Sequence, residues 1–230
     1  MALKTFIFGA SGRVGQHLIE LTSKDQRFEW VGGFARSDHR YINDLSKAPA
    51  EIDLVVDFSL PEALPEVVSF CQSKKAALVS GTTGLKDSHF KQLDQLSKDV
   101  PVLWAPNMSL GVAFLRKLIA HLGELKDFDF QIEEFHHRHK LDAPSGTALR
   151  LQEDLKKAVK VDVPEPVAIR GGGIFGLHRV FAMSEEEQIV LEHQALNRAV
   201  FAKGALEAAA WVTTRPAGRY QLEDVLQGPA

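Results

Sequence analysis

Along the first half of the chain, short and nearly continuous apolar runs alternate with segments of helical period. Residues 3–8 (LKTFIF), 29–34 (EWVGGF), 53–58 (DLVVDF), 76–80 (AALVS) and 101–105 (PVLWA) read as buried strands. Between most of them lie amphipathic helical segments, such as RVGQHLIELTS and PEALPEVVSFCQSK. Strands apolar on both sides and separated by helices imply a parallel sheet covered on both faces. Residues 36–50 are polar and lack a helical period, so the second crossover is expected to be abbreviated.

From about Gly111 the pattern changes. A helix, GVAFLRKLIAHLGEL, leads into the alternating strand FDFQIEEFHH. A second helix begins near Ser145, and two more alternating runs follow, LHRVFAMS and QIVLEHQA, joined by an acidic turn. Alternation of this kind marks antiparallel pairing with one face buried and one available. A last helix, AVFAKGALEAAAWVTT, precedes a short tail. The expected fold is α/β: a Rossmann-type doubly wound parallel sheet, with a smaller α+β domain built on a mixed sheet. The expected boundaries are 1–109 for the first domain, completed by 204–230, and 110–203 for the second.

Charge and composition narrow the partners. The formal net charge of −3 gives no overall pull toward nucleic acid or anionic membrane, so any basic site must be local. One cysteine, Cys71, excludes an intrachain disulfide framework and a multi-thiolate zinc site, as suits a reducing compartment. No apolar run approaches the ~20 residues that span a bilayer, and MALKTFIFGASG moves directly from a strand to a glycine turn without a secretory pattern. A soluble, cytoplasmic protein is expected.

FGASGRVG places Gly9, Gly12 and Gly15 between the first strand and the first helix. Glycines there permit a tight turn and close approach of backbone to a phosphate, while the helix N-terminus offers unpaired N–H groups and a favourable dipole. The spacing is a variant of the dinucleotide fingerprint in the position its mechanism requires, which makes Gly9, Ala10, Ser11, Gly12, Arg13 and Val14 the expected pyrophosphate loop. Enzymes that use NAD commonly carry an acid ~20 positions past the glycines, bonded to the ribose 2′-hydroxyl. Here FARSDHR puts Ala35 and Arg36 at that place. Arg36 suits a 2′-phosphate, with Arg40 in support, so NADPH is favoured over NADH. Two later loops follow parallel strands at the edge where such sheets bind ligands: SGTTG, with Gly81, Thr82 and Thr83, and APNMS, with Ala105, Pro106, Asn107 and Met108. Their hydroxyls and Asn107 are expected to reach the ribose and nicotinamide.

The segment EFHHRHKLDAPSGTALRLQEDL crowds His136, His137, Arg138, His139 and Lys140 together, a run of like charges with no value for stability. A metal site is disfavoured: no HExxH helix or cysteine pair accompanies it, and Arg138 and Lys140 repel a cation. DAPSGTALRLQEDL reads as a helix start, with Ser145 as the cap. The amides of Gly146 and Thr147 would then face whatever lies before the helix. A helix N-terminus facing clustered cations is a trap for carboxylate or phosphate, and a small dianionic substrate satisfies both halves.

The run Glu134, His136, His137, Lys140, Asp142, Pro144, Ser145, Gly146, Thr147, Ala148 resembles the E-x-H-H-x-x-K-x-D-x-P-S-G-T-A signature of the 4-hydroxy-tetrahydrodipicolinate (dihydrodipicolinate) reductase family. GASGRVG, DFSLPEA, GTTG, APNMSLGV, RGGGIFGLHRV, RAVFAKGALEAAAWV and YQLEDVL resemble family segments in the expected order. The resemblance implies that NADPH, or NADH in some members, delivers hydride to a cyclic imine dicarboxylate on the route to diaminopimelate and lysine. It implies His136 as the acid/base residue and Lys140 as proton donor. It further implies that His137, Ser145, Gly146 and Thr147 hold the substrate carboxylates, and that members assemble as homotetramers through the sheet of the second domain. The acid that many members use for the cofactor ribose is absent, and the region after Arg36 is short. GASGRVG also resembles NADP-binding epimerases and related sensors, but Tyr41 and Tyr220 are followed four residues on by Leu45 and Asp224, not by the lysine that epimerases need. A non-catalytic NADP sensor has no use for a proton donor beside an anion trap, and the histidine pair argues against an amino-acid dehydrogenase of the same plan.

Overall fold

A computed structural model describes residues 1–227, so the last three residues of the segment 204–230 lie outside the described residues. The chain runs β1 (Leu3–Phe8), α1 (Arg13–Thr22), β2 (Phe28–Phe34), β3 (Leu54–Asp57), α2 (Leu64–Lys74), β4 (Ala77–Ser80), α3 (Asp87–Leu96), β5 (Pro101–Trp104) and α4 (Leu110–His121). It continues through β6 (Asp129–His136), α5 (Gly146–Ala158), β7 (Val167–Arg170), β8 (Leu177–Met183), β9 (Gln188–Gln194), α6 (Ala199–Val212), β10 (Gly218–Tyr220) and α7 (Leu222–Val225). Two compact units result: Met1–Ser109 with the chain from Arg198 onward, and Leu110–Asn197.

In the first unit six strands form a parallel sheet in the order β10-β5-β4-β3-β1-β2. The apolar runs bury their side chains: Phe6, Ile7 and Phe8 of β1 and Leu54, Val55 and Val56 of β3 are fully enclosed. Phe6, Phe8, Phe34 and Phe70 pack with centroids 5.0–5.6 Å apart, in the tilted and edge-on arrangements aromatic rings favour. The second crossover is abbreviated, with only a 3-10 turn at Leu45–Lys47. Helix α6 packs on α1 and β4 through Ala202, Gly204, Ala205, Ala208 and Ala209, small residues that let a helix approach closely. Parallel register aligns the strand ends: Phe34 lies beside Phe8, Phe8 beside Asp57, Asp57 beside Ser80, and Ser80 beside Trp104. The glycine turn and the loops after β3, β4 and β5 therefore leave the sheet along one edge.

The second unit is a mixed sheet, β7-β6-β8-β9, with β6–β7 parallel and the other pairs antiparallel. The period of two in β6 buries Phe130, Ile132, Glu134 and His136 on one face. There Phe130 and Ile132 meet Val180 and Ala182 of β8, Leu115 and Ile119 of α4, and Ala148, Leu151 and Leu155 of α5. The opposite face carries Phe135, Phe181, Val167, Ile169 and Val190, and the last three are exposed. Strands β7 and β10 had no counterpart in the sequence pattern. β7 has four residues, alternately exposed and half-buried, between a proline-rich and a glycine-rich stretch, and β10 has three, too few for a period to register.

Leu151 is completely buried in the second core. Leu151→Ala is expected to cost about 2–5 kcal/mol of stability through lost burial and a residual cavity, measured as a lower midpoint in urea unfolding. A loss under 0.5 kcal/mol would show that α5 is not packed as described.

Candidate active site

In the first unit Gly9 ends β1 with φ +75, and a Cβ there would stand 2.4 Å from the Phe58 carbonyl oxygen. A Cβ on Gly15 would meet the Gly9 carbonyl oxygen at 2.2 Å. The turn therefore needs glycine at both places to fold back onto the strand end. Helix α1 then starts at Gly12 with no side-chain cap and no acid in its first turn, leaving its leading amides and positive dipole end to an outside anion. Ser11 and Arg13 are exposed, Val14 is half-buried, and Ala10 is enclosed. This turn fits a dinucleotide phosphate.

Beside it, the buried Asp57 organises the sheet edge. Its carboxylate accepts hydrogen bonds from the Ser59 amide at 3.0 Å and from the Ser59 hydroxyl, and from the Ser80 and Thr82 hydroxyls at 2.8 Å each. It thereby ties the loop after β4 to the loop after β3. Thr82, expected to reach the ribose, spends its hydroxyl inside this network, whereas Thr83 is exposed. Of the APNMS loop, Met108 and Ala105 are core residues and Pro106 is exposed. The Asn107 side-chain oxygen accepts the Ser109 amide at 2.9 Å and shapes the loop. Arg36 is exposed and pairs with Glu66 of α2 at 3.1 Å, and Arg40 pairs with Asp38 at 2.7 Å. The place where an NAD enzyme carries its acid holds Ala35 and Arg36, with no carboxylate. The fold brings one from thirty residues away.

In the second unit the cationic run leaves the end of β6. Ser145 caps α5, its hydroxyl accepting the Ala148 amide at 3.2 Å. His136 and Ser145 are brought together through Glu134, which is fully buried two residues before His136. The Glu134 carboxylate accepts the Ser145 amide at 3.2 Å and the Arg170 guanidinium at 2.7 Å through one oxygen, and is bonded to His136 Nδ1 through the other. Burial pushes the Glu134 carboxyl up, but Arg170 and His136 together more than offset it and hold it below the usual range. Burial also lowers His136; Glu134 opposes that, and the Lys140 and Arg170 charges add to it.

His178, on β8 directly opposite Glu134, lies edge-on to His136 at 5.2 Å, and its Nε2 is 3.3 Å from the Ser145 hydroxyl. Lys140 pairs with Asp142 at 2.9 Å, and although burial pushes the Asp142 carboxyl up, Lys140 and backbone amides, one of them at the head of α5, hold it below the usual range. A carboxylate thus already occupies the junction of ammonium and helix N-terminus. His137 is half-buried, with its Nδ1 enclosed and unpartnered among the described residues, and Thr147 is half-buried. Arg138 and His139 are exposed. Glu134, His136 and His178 could each offer a ligand atom within 4.8 Å of the others. Both Glu134 oxygens are already engaged, however, and Arg170 brings a positive charge to the same carboxylate, so the trio reads as a hydrogen-bonding network.

Arg170, His178 and Asp57 were not singled out from the sequence, and Glu134 stood there only as the first residue of the signature run, with no role given to it. For Glu134 and Asp57 a signal existed: each is an acid on a buried strand position.

A parallel sheet whose glycine turn opens onto an uncapped helix, in a chain whose second unit sets a cationic run before another helix N-terminus, has the plan of a nicotinamide-dinucleotide-dependent oxidoreductase. Family models described as dihydrodipicolinate reductase, N-terminus, and dihydrodipicolinate reductase, C-terminus, match residues 3–108 and 111–226. The chain belongs to the dihydrodipicolinate reductase family. It is 46% identical over 226 residues to the 4-hydroxy-tetrahydrodipicolinate reductase of Bdellovibrio bacteriovorus, covering 98% of this chain and 97% of the relative. It is 39% identical over 249 residues to that of Wolinella succinogenes, covering 96% and 97%. Among solved structures, the dipicolinate-bound dihydrodipicolinate reductase from Paenisporosarcina sp. TG-14 shares the fold with a TM-score of 0.82 at 21% identity, covering 97% of this chain and 99% of that one.

The His178 imidazole is pushed down to about 4, first by burial and next by the His136 charge. Its unfolded value is near 6.5, so the unfolded chain takes up a proton first. The stability contributed by keeping this ring neutral is present above about pH 6.5 and is lost as pH falls toward about 4. At ~1.4 kcal/mol per pH unit the loss is on the order of 3 kcal/mol. Urea unfolding at pH 7.5 and pH 4.5 is expected to show a smaller acid loss in His178→Asn than in the parent. Equal losses would place the acid sensitivity elsewhere.

Proposed function

We propose that the protein reduces 4-hydroxy-tetrahydrodipicolinate to tetrahydrodipicolinate, the ring hydroxyl leaving as water, on the route to diaminopimelate and lysine, with NADPH favoured and NADH as the alternative. The observation that carries this reading is the 46% identity over 98% of the chain, together with the unbroken run from Glu134 to Ala148. The first unit takes the dinucleotide through Gly9, Ala10, Ser11, Gly12, Arg13 and Val14, with the loops at 81–83 and 105–108 around the ribose and nicotinamide. The nicotinamide, when bound, supplies the hydride.

The second unit supplies charge and protons. Hydride addition to a conjugated imine leaves negative charge on the substrate ring, which fixed cations and a proton donor stabilise. Lys140 gives the proton and His136 acts as the acid/base group. His137, Ser145, Gly146 and Thr147 hold the carboxylates; the pairing of Asp142 with Lys140 just before α5 supports this, because it shows the ammonium taking a carboxylate there. The exposed apolar residues Val167, Ile169 and Val190, on the sheet face away from α4 and α5, support assembly as a homotetramer through that sheet. Among the described residues no helix is long and apolar enough to cross a membrane, in keeping with a cytoplasmic enzyme.

The direct test is loss of reduced-nicotinamide absorbance when purified protein meets NADPH and enzymatically generated substrate. No substrate-dependent loss would end the proposal. Lys140→Ala is expected to cut turnover at least ~100-fold with NADPH binding near normal, and unchanged turnover would remove Lys140 from the chemistry. Arg36→Ala is expected to raise the KM for NADPH more than that for NADH, in steady-state assays with each cofactor. Equal effects would place the 2′-phosphate contact elsewhere.

A further inference from the structure

Glu134 cannot be a spectator of the trap. It is wholly buried, and its two oxygens serve three donors on three elements: the Ser145 amide at the head of α5, the Arg170 guanidinium on β7, and Nδ1 of His136 on its own strand. An ionised carboxylate only accepts hydrogen bonds. With an arginine and a helix-leading amide holding Glu134 ionised, the imidazole nitrogen that faces it must carry a proton, whether the ring is neutral or charged.

We propose that Glu134 is a positioning residue for the reduction: its carboxylate locks His136 in the tautomer with the proton on Nδ1, leaving Nε2 as the nitrogen that gives and takes a proton. This rests on reading His136 as the acid/base group. The Nε2 edge is the open one. A Cβ on Gly176 would stand 3.0 Å from Nε2, and glycine at that position leaves the edge uncrowded. Among the described residues Nε2 has no hydrogen-bond partner. The same carboxylate also sets the ring's charge. Arg170 on β7 and Lys140 in the following loop act to keep His136 neutral, and His178 on β8 faces the ring edge-on at 5.2 Å. Behind His178 stands His193 on β9, α5 contributes the neutral Ser145, and Glu134 opposes the cations. A carboxylate that orients a histidine and stabilises its cation is the usual partner of an imidazole that must cycle through both states.

The test is Glu134→Gln. The glutamine oxygen would stay with its two fixed donors, Arg170 and the Ser145 amide, and turn its NH₂ group toward His136. The ring would then have to accept at Nδ1 and carry its proton on Nε2. Nitrogen-15 spectra of histidine-labelled full-length protein read this directly, with His136→Gln identifying the His136 signals among the nine histidines. The parent is expected to show a pyrrole-like Nδ1 and a pyridine-like Nε2 in the neutral ring, reversed in Glu134→Gln. Turnover should fall at least about tenfold with the KM for NADPH unchanged, and the limb of the pH–rate profile that belongs to His136 should move to lower pH.

A parent ring with its proton on Nε2 would overturn the proposal, and this holds even if Glu134→Gln fails to fold. So would a variant that keeps both tautomer and turnover. If His136→Gln itself retains turnover, the acid/base reading of His136 fails, while the tautomer measurement still decides whether Glu134 orients the ring.

Discussion

The contact on which the second unit depends is a carboxylate removed from water and shared among three donors. Burying Glu134 is costly, and the cost is offset because both oxygens are used and a guanidinium lies 2.7 Å away. That one group joins β6, β7 and the first amide before α5. The histidine at the end of β6 and the opening of the helix are therefore fixed relative to each other by something stiffer than the loop between them. Cut that tie, and the end of β6 and the head of α5 are held to each other only by the core packing of Ala148, Leu151 and Leu155 and by the Ser145–His178 contact.

Around this anchor the unit tolerates a concentration of positive charge that would otherwise work against folding. Five side chains that are or can become cationic follow one another from His136 to Lys140. Arg138 and His139 are left to solvent, His136 is matched by Glu134, and Lys140 by Asp142. The excess is directed at the N-terminus of α5, where helix dipole and ammonium favour the same sign of ligand. The first unit uses the same device in a second form: a glycine turn clears space before a helix that lacks any acid or side-chain cap of its own. Each of the two helix beginnings presents a positive dipole end, the arrangement that favours an anion.

Much of this was legible in the residues. The five parallel strands of the first half read cleanly because each centres on a short apolar run, and the helix at Ser145 read from Pro144, its cap and the good helix formers that follow. What escaped notice was short or assembled from afar. Strands β7 and β10 have no period to detect, yet β7 brings Arg170 to Glu134. His178 belongs to the site only because β8 pairs with β6 in a register that sets it opposite Glu134. Glu66 reaches Arg36 through packing of α2, which no local pattern around Arg36 encodes. Glu134 itself was readable: the alternation that buries Phe130 and Ile132 also buries the next even positions. A titratable pair on the apolar face of a strand marks a place where the fold bears a cost for function.

The central claim is that the opening of α5 and the cationic run before it form a binding site for a small dicarboxylate. The measurement that meets it most directly is a titration of the amide-labelled protein with dipicolinate, followed by nitrogen–proton correlation spectra. The account predicts saturable shifts of the Gly146 and Thr147 amides, accompanied by the ring signals of His136 and His137 and weakened by added salt. Saturable binding that leaves those amides and rings unmoved would contradict it.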